Sequence, residues 1–241
     1  MIIHHRRYRN VFGIMILFLL ASVIVIVISG IRYAVLSNSN NLKYVKQVVI
    51  DPGHGGVDPG AIGVDNIIEK DINLAISLYL KDILISNGYE VTMTRDTDIA
   101  INEDGIKSIR KIKTSDLHNR LKIIEDNPDA IAISIHQNKF PTQKPSGAQM
   151  FYGRKNEQSK VLAQSIQEAF VENVQPNNKR LIKRSTTDVY IVHNAKNPIV
   201  LVECGFISNY NDASQLTNEE YQQKVAFSIF CGIANANFSD S

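Results

Sequence analysis

The chain of 241 residues has no tryptophan, two cysteines and a net charge of only +2. Two cysteines, Cys204 and Cys231, are too few for a disulfide framework. One belongs to an expected strand end and the other to a closing helix, and such positions need not come within the roughly 7 Å Cα limit for bridging. Two buried free thiols are therefore expected. The small net charge, with both signs spread along the chain, offers no basic surface for nucleic acid. Part of the positive excess sits in one cluster, His4, His5, Arg6, Arg7 and Arg9. Neither an internal repeat nor a long low-complexity tract is present, which excludes repeat architectures.

What is there begins with a long apolar run. Residues 11–31 carry no charge and consist mainly of Ile, Val, Leu and Phe. Crossing a bilayer takes about 20 apolar residues, whereas the apolar region of a cleavable signal usually spans about 7 to 15. The run reads as a transmembrane anchor, with a cleaved signal as the alternative. Residues 1–10 form a basic flank that places this end in the cytoplasm and the remainder outside. Residues 32–43, including Ser-Asn-Ser-Asn-Asn, form a linker. Residues 44–241 remain as one catalytic domain of about 200 residues, enough for a proper core.

Within that domain, strand-like and helix-like patterns alternate. Short β-branched runs predict strands at 45–50, 90–94, 130–135, 147–152, 189–192 and 199–203. Apolar residues at helical spacing predict helices at 71–86, 115–125, 157–173 and 218–235. The order implies an α/β fold: a mixed, mostly parallel sheet flanked by helices on both faces. Loops at 95–114, 137–146 and 174–187 should rim the functional edge, because sites in open α/β sheets gather at strand ends.

The chemistry-bearing residues lie at those ends. The segment V-V-I-D-P-G-H-G-G, residues 48–56, is a strand stopping in a glycine-rich turn that holds His54. His136 follows the run Ala-Ile-Ser-Ile, Glu203 follows Ile-Val-Leu-Val, and Glu69 opens a helical pattern. A hydrolytic zinc site takes three His or carboxylate ligands and keeps one position open. His54, Glu69 and His136 are the candidate ligands for one Zn2+. Glu203 is the candidate carboxylate that binds no metal, accepting a proton from the attacking water and passing it to the leaving amine. Asp51 ends the first strand and is placed to orient a ligand. Taken singly, the turn histidine and the helix-opening glutamate also suit an ordinary turn and a favourable dipole charge; the set of four is what points to a site.

Other candidates are weaker. Arg95, Asp98 and Arg120 suit structural ion pairs better than a peptide carboxylate. His193 reads as a strand-end residue with access to substrate, and Asn138 as a neighbour of His136. Lys183 and Arg184 offer charge to an anionic substrate.

The blocks V-I-D-P-G-H-G-G, E-K-D at 69–71, M-T-R-D-T-D at 93–98, S-I-H-Q-N at 134–138 and V-E-C-G-F-I-S-N at 202–209 occur in one order. In this the chain resembles the zinc-dependent N-acetylmuramoyl-L-alanine amidases of the third amidase family, over about residues 46–237. The resemblance implies a single zinc on His54, Glu69 and His136, and Glu203 as catalytic glutamate. It also implies hydrolysis of the amide joining muramic acid to L-alanine of peptidoglycan. The segment 135–152, the amino-terminal anchor and the lack of a wall-binding repeat are similar to the germination-specific members of endospore formers. Those strip stem peptides from spore cortex so that muramic-δ-lactam can form, and some use an accessory lipoprotein. The implied location is extracytoplasmic, on the cortex side of the forespore. A departure from the family pattern is Cys204 beside Glu203. Alternatives are a vegetative wall amidase, another zinc peptidase with the same four residues, and an inert wall-binding protein.

Overall fold

The structure, a computed structural model, describes residues 47–238. The expected flank, anchor and linker at 1–43 lie outside the described residues, in which no helix is long and apolar enough to cross a membrane. The described residues belong to one compact unit.

A six-stranded sheet organises it, built from β1 (Gln47–Pro52), β2 (Glu90–Met93), β3 (Ile131–Asn138), β4 (Gln149–Tyr152), β5 (Lys183–Arg184) and β6 (Ile199–Phe206). Their spatial order is β2-β1-β3-β6-β4-β5. The first four in that order run parallel; β4 is antiparallel to β6, and β5 is parallel to β4. Helices α1 (Glu69–Ser86), α2 (Ile109–Glu125), α3 (Gln158–Asn173), α4 (Tyr190–Asn194), α5 (Tyr210–Leu216) and α6 (Glu219–Asn235) complete the unit. The fold is the mixed, mostly parallel α/β architecture that the alternation of patterns implies.

Strand alternation sends successive side chains to opposite faces. Val48, Ile50, Ile131, Ile133, Ile135, Val200, Val202 and Cys204 point one way, against apolar residues of α1, α3 and α6. Val49, Ala130, Ala132, Ile199 and Leu201 point the other way, with Ile124 of α2 and Ile191 and Val192 of α4. Both faces of the central strands are covered, which explains their near-continuous apolar runs. Fully burying one such Ile or Leu stabilises the fold by about 1.5–3 kcal/mol.

Local signals set the helix limits. Glu69 and Asp71 lie in the first turn of α1, where acidic groups favour the helix dipole. The helix ends at Asn87, and Gly88 takes φ +83° so that the Tyr89 N–H returns to the Leu84 carbonyl at 3.1 Å, a glycine-terminated C-cap. Asn218 caps α6, its side chain accepting from the Tyr221 N–H at 3.0 Å.

Four elements depart from the sequence-based reading, the first being strand β5, which lies within the loop expected at 174–187. Residues 189–192, expected as a strand, are instead the N-cap and first turn of helix α4: the His193 and Ala195 N–H groups donate to the Val189 and Ile191 carbonyls at 2.9 Å each. A four-residue apolar run does not distinguish strand from helix by periodicity, and here burial of Ile191 and Val192 is met by one helical turn. Helix α2 starts at Ile109 rather than 115, because its first turns are charged and exposed and carry no apolar stripe. Helix α5 was not expected at all; its cap, Asn209, accepts from the Asn211 and Asp212 N–H groups.

Candidate active site

The site is assembled where β1, β3 and β6 end. After Pro52 the chain leaves the sheet, and His54 takes φ +62°, a left-handed conformation that costs a non-glycine residue roughly 1 kcal/mol or more. Two arginines hold it there. Arg120 donates from Nη1 to the Pro52 carbonyl at 2.7 Å and from Nη2 to the His54 carbonyl at 2.6 Å. Arg95 donates from Nε to Pro52 O and from Nη2 to Gly53 O, both at 3.0 Å. Arg120 is anchored in turn by Asp51, 2.7 Å from Nη1, and by Asp116 at Nε.

Glu69, the first residue of α1, is reached through the glycine-rich loop. Its Oε2 accepts the Ala61 N–H at 2.8 Å, and its Oε1 accepts the Gln137 N–H at 3.1 Å. Lys70 ties the loop to Asp98 at 2.6 Å and to the Gly56 carbonyl at 2.9 Å. Two glycines make the closeness possible. A Cβ on Gly53 would collide with the His136 imidazole, and one on Gly60, φ +71°, would lie 2.6 Å from Glu69 Oε2 and 2.7 Å from His54 Cδ2. His136 stands near the end of β3, where a register irregularity between His136 and Asn138 re-aims the strand.

The three side chains converge. His54 Nε2 is 3.3 Å from Glu69 Oε2, and His136 Nδ1 is 2.9 Å from Glu69 Oε1. The imidazoles meet edge-on with centroids 4.9 Å apart. One donor atom from each of His54, Glu69 and His136 lies within 4.8 Å of the others. Ligands at about 2.0–2.2 Å from a zinc ion in tetrahedral geometry stand somewhat over 3 Å apart, so the spacing and the N/O donor set fit that metal. Burial works against a charged His54, but hydrogen bonds and charge from Asp58 and Glu69 outweigh it and raise its pKa to about 9. Burial likewise opposes ionisation of Glu69, yet the two histidines hold its carboxyl well below the usual range.

Glu203, in β6, is the direct partner of His136 across the parallel β3–β6 pair. Its Oε2 is buried with no hydrogen-bond partner among the described residues. Burial pushes its pKa up to about 7, with Glu69 adding to the rise and His136 and His54 opposing it. An orphaned buried carboxylate oxygen is costly and marks a group kept for chemistry.

The remaining candidates fall elsewhere. Asp51 is fully buried and contacts no ligand; it accepts from Thr94 Oγ1 at 2.8 Å, Ser134 Oγ at 2.7 Å and Arg120. Arg95 and Arg120 spend their donors on main-chain carbonyls and carboxylates of the turn, as structural residues do. Asn138 follows His136 by two positions, its carbonyl accepting from Ile207 N–H at 2.9 Å. His193 sits in α4, where the carbonyl of its neighbour Val192 lies against Gly153 together with Ile199 at the start of β6, the opposite end of that strand from Glu203. Cys204 points into the apolar face away from Glu203; burial pushes its thiol pKa up, so it offers the metal no thiolate. Both cysteines are free, and Cys231 is only partly buried.

Sequence reasoning missed Asp58. Its Oδ2 lies 2.9 Å from His54 Nδ1, the nitrogen facing away from Glu69, and its Oδ1 is 2.6 Å from Lys113. A carboxylate on the outer nitrogen of a ligand histidine fixes the tautomer and ring orientation. The signal was local: an aspartate four residues after a turn histidine folds back onto it, as the Gly55–Asp58 bridge shows.

Comparison with known proteins agrees with this geometry. A family model described as N-acetylmuramoyl-L-alanine amidase, amidase family 3, matches residues 48–235. The germination-specific N-acetylmuramoyl-L-alanine amidase of Bacillus subtilis is 39% identical over 188 residues, 78% of each chain. The N-acetylmuramoyl-L-alanine amidase LytC of the same organism is 30% identical over 187 residues, 77% of this chain and 34% of that one. Among solved structures, the CwlD amidase of Clostridioides difficile, in complex with the GerS lipoprotein, is similar with a TM-score of 0.76 and 39% identity, covering 79% of this chain and 98% of that one. With its sheet order, its His-Glu-His cluster and a family match spanning the whole described unit, the chain belongs to the N-acetylmuramoyl-L-alanine amidases of family 3 and is a peptidoglycan-hydrolysing amidase.

Proposed function

We propose that this amidase is zinc-dependent and acts on spore cortex peptidoglycan, cutting the amide between the lactyl group of muramic acid and L-alanine. The carrying observation is the convergence of His54, Glu69 and His136 beside a carboxylate with a buried, unpartnered oxygen. His54, Glu69 and His136 would hold the ion. When bound, zinc supplies Lewis acidity, polarising the scissile carbonyl and making water a stronger acid.

The chain's own residues do the rest. Glu203 takes a proton from the water that attacks the carbonyl carbon, and returns a proton to the nitrogen as the C–N bond breaks. A pKa of about 7 suits both halves of that exchange. The products are a lactyl carboxylate on the glycan and a stem peptide with a free amine. Asp58 holds the His54 ring, and Arg95 and Arg120 hold the turn that carries it.

The cortex assignment is supported by the 39% identity to the germination-specific amidase of Bacillus subtilis. In that role stripped muramic acid is the precursor of muramic-δ-lactam. The enzyme would act outside the cytoplasmic membrane, held by residues 11–31. The CwlD amidase of Clostridioides difficile was solved with a lipoprotein, and we assign a similar accessory lipoprotein to this chain as partner. Action on the vegetative wall is the second reading, since LytC, 30% identical over 187 residues, is named an N-acetylmuramoyl-L-alanine amidase without the germination-specific qualifier.

The test incubates the full-length chain with cortex murein and with vegetative murein, with and without zinc, and weighs the products by mass spectrometry. Zinc-dependent loss of whole stem peptides, faster on cortex, is expected. Trimmed stem peptides would make it a peptidase, and equal or faster release from vegetative murein would favour the second reading.

A further inference from the structure

Arg95 and Arg120 are consumed by the turn they hold, so neither is free to bind substrate. A third arginine, Arg180, lies at the same edge of the sheet and is only partly used. It belongs to the segment between α3 and β5, which borders a groove of about 500 Å³ that also includes Ser146, Gln175, Asn178 and Asp212. Its guanidinium lies over the Phe206 ring, 4.6 Å from the centroid. Nε donates to the Ser146 carbonyl at 2.8 Å and Nη1 to Gln149 Oε1 at 3.3 Å.

Strand register locates this charge. Gln149 is the direct antiparallel partner of Glu203 across β4 and β6. Phe206 lies three positions after Glu203, and Ser146 three before Gln149, so both mark one level just beyond the catalytic carboxylate on the open side of the sheet. Cross-strand partners have Cα atoms about 4.5–5.5 Å apart; with the Gln149 side chain and its hydrogen bond added, the guanidinium stands on the order of 10 Å from Glu203. At roughly 3.3 Å per residue that separation spans about three residues of extended peptide, or about two beyond the scissile bond once the roughly 3 Å between Glu203 and the reacting atoms is taken off.

The loop beneath it is pinned. Gln175 Oε1 accepts from the Ala148 N–H at 2.7 Å and from Asn178 Nδ2 at 2.9 Å. Gln175 Nε2 donates to the Cys204 carbonyl and the Tyr221 hydroxyl. Asn178 Oδ1 accepts the Arg180 N–H at 2.9 Å. Among the described residues no carboxylate lies within 4 Å of the guanidinium, and Nη2 has no acceptor. Asp212, the acid in the groove, has its Oδ2 occupied by the Gly147 and Phe206 N–H groups. A preorganised guanidinium over an aromatic ring, with unspent donors and beside a groove, suits a carboxylate.

We propose that Arg180 recognises the free α-carboxylate of the second stem-peptide residue, an isoglutamate joined through its side-chain carboxyl, and so makes the amidase selective for acidic over amidated stem peptides. The proposal rests on the amidase reading of the Glu203 site. Gln149 and Phe206 act as positioning residues for the guanidinium.

The test uses the full-length zinc-loaded chain and two synthetic N-acetylmuramoyl peptides differing only at that residue, isoglutamate against isoglutamine. Wild type is expected to prefer the acidic substrate in kcat/KM, mainly through KM. Arg180→Ala should reduce that preference about tenfold or more, Arg180→Lys should restore part of it, and exposed Arg110→Ala should leave it in place. An unchanged preference in Arg180→Ala, or equal loss on both substrates, overturns the proposal while leaving the amidase reading intact. Release of peptide from neither substrate by wild type overturns both.

Discussion

His136 and Glu203 are direct partners on adjacent parallel strands. One register therefore sets the distance between an imidazole of the candidate metal site and the carboxylate to which we assign the proton transfer. Because side chains of partnered residues share a face, both reach the same space with no loop between them. The two residues nonetheless have separable roles. Glu203→Gln should keep the metal and lower hydrolysis by about 10²- to 10⁴-fold, whereas His54→Ala should lose both. Metal content by mass spectrometry alongside peptide release checks this; loss of metal in Glu203→Gln would make Glu203 a ligand.

Asp58 acts on His54 from outside. Asp58→Ala should weaken zinc binding by about 10- to 100-fold, with activity restored by excess zinc. Titration against a competing chelator gives the affinity, and an unchanged affinity would leave Asp58 as a partner of Lys113 alone.

Arg120 is 1% exposed and Asp51 0%, so their ion pair is fully buried. Removing one member strands the other. Arg120→Met should cost about 3–5 kcal/mol, which lowers Tm by about 6–20 °C in a domain of this size. Adding Asp51→Asn to that variant should recover part of the loss in calorimetry, because the stranded charge is then gone.

The same pair predicts an acid limit. Burial alone would raise the Asp51 pKa, but Arg120, with Ser134 and Thr94, outweighs it and holds the carboxyl below its ordinary value. A depressed carboxylate contributes stability that is complete above the unfolded pKa of about 3.9. That contribution is lost as pH falls toward the folded value. Denaturant midpoints should therefore be flat with respect to this group above about pH 5 and fall below about pH 4. Asp51→Asn should flatten that fall.

The clustering of His54, Glu69 and His136 beside Glu203 was legible because each follows an apolar strand or opens a helix, and such positions rarely serve packing. The parallel core was legible for a related reason, since strands buried on both faces read as unbroken β-branched runs. Asp51, read as orienting a ligand from the strand end, reaches His54 only through a second residue: strand alternation turns its side chain toward Arg120 and Ser134, and Arg120 holds the His54 carbonyl. Arg180 was invisible in the sequence: its place depends on β4 running antiparallel beside β6, and nothing local to residues 174–187 encodes that. Helix α4 was misread since four apolar residues fit either period, and only the second core face decides between them.

Gly53 and Gly60 carry no chemistry, yet each presses its bare Cα against a candidate metal-binding side chain. A saturation scan should find both as intolerant of replacement as His54 or Glu69, with alanine already excluded. The site's information content thus exceeds its reacting groups: part of it is written in atoms that must be missing, and any designed amidase copying only the four functional residues would lack the room in which they meet.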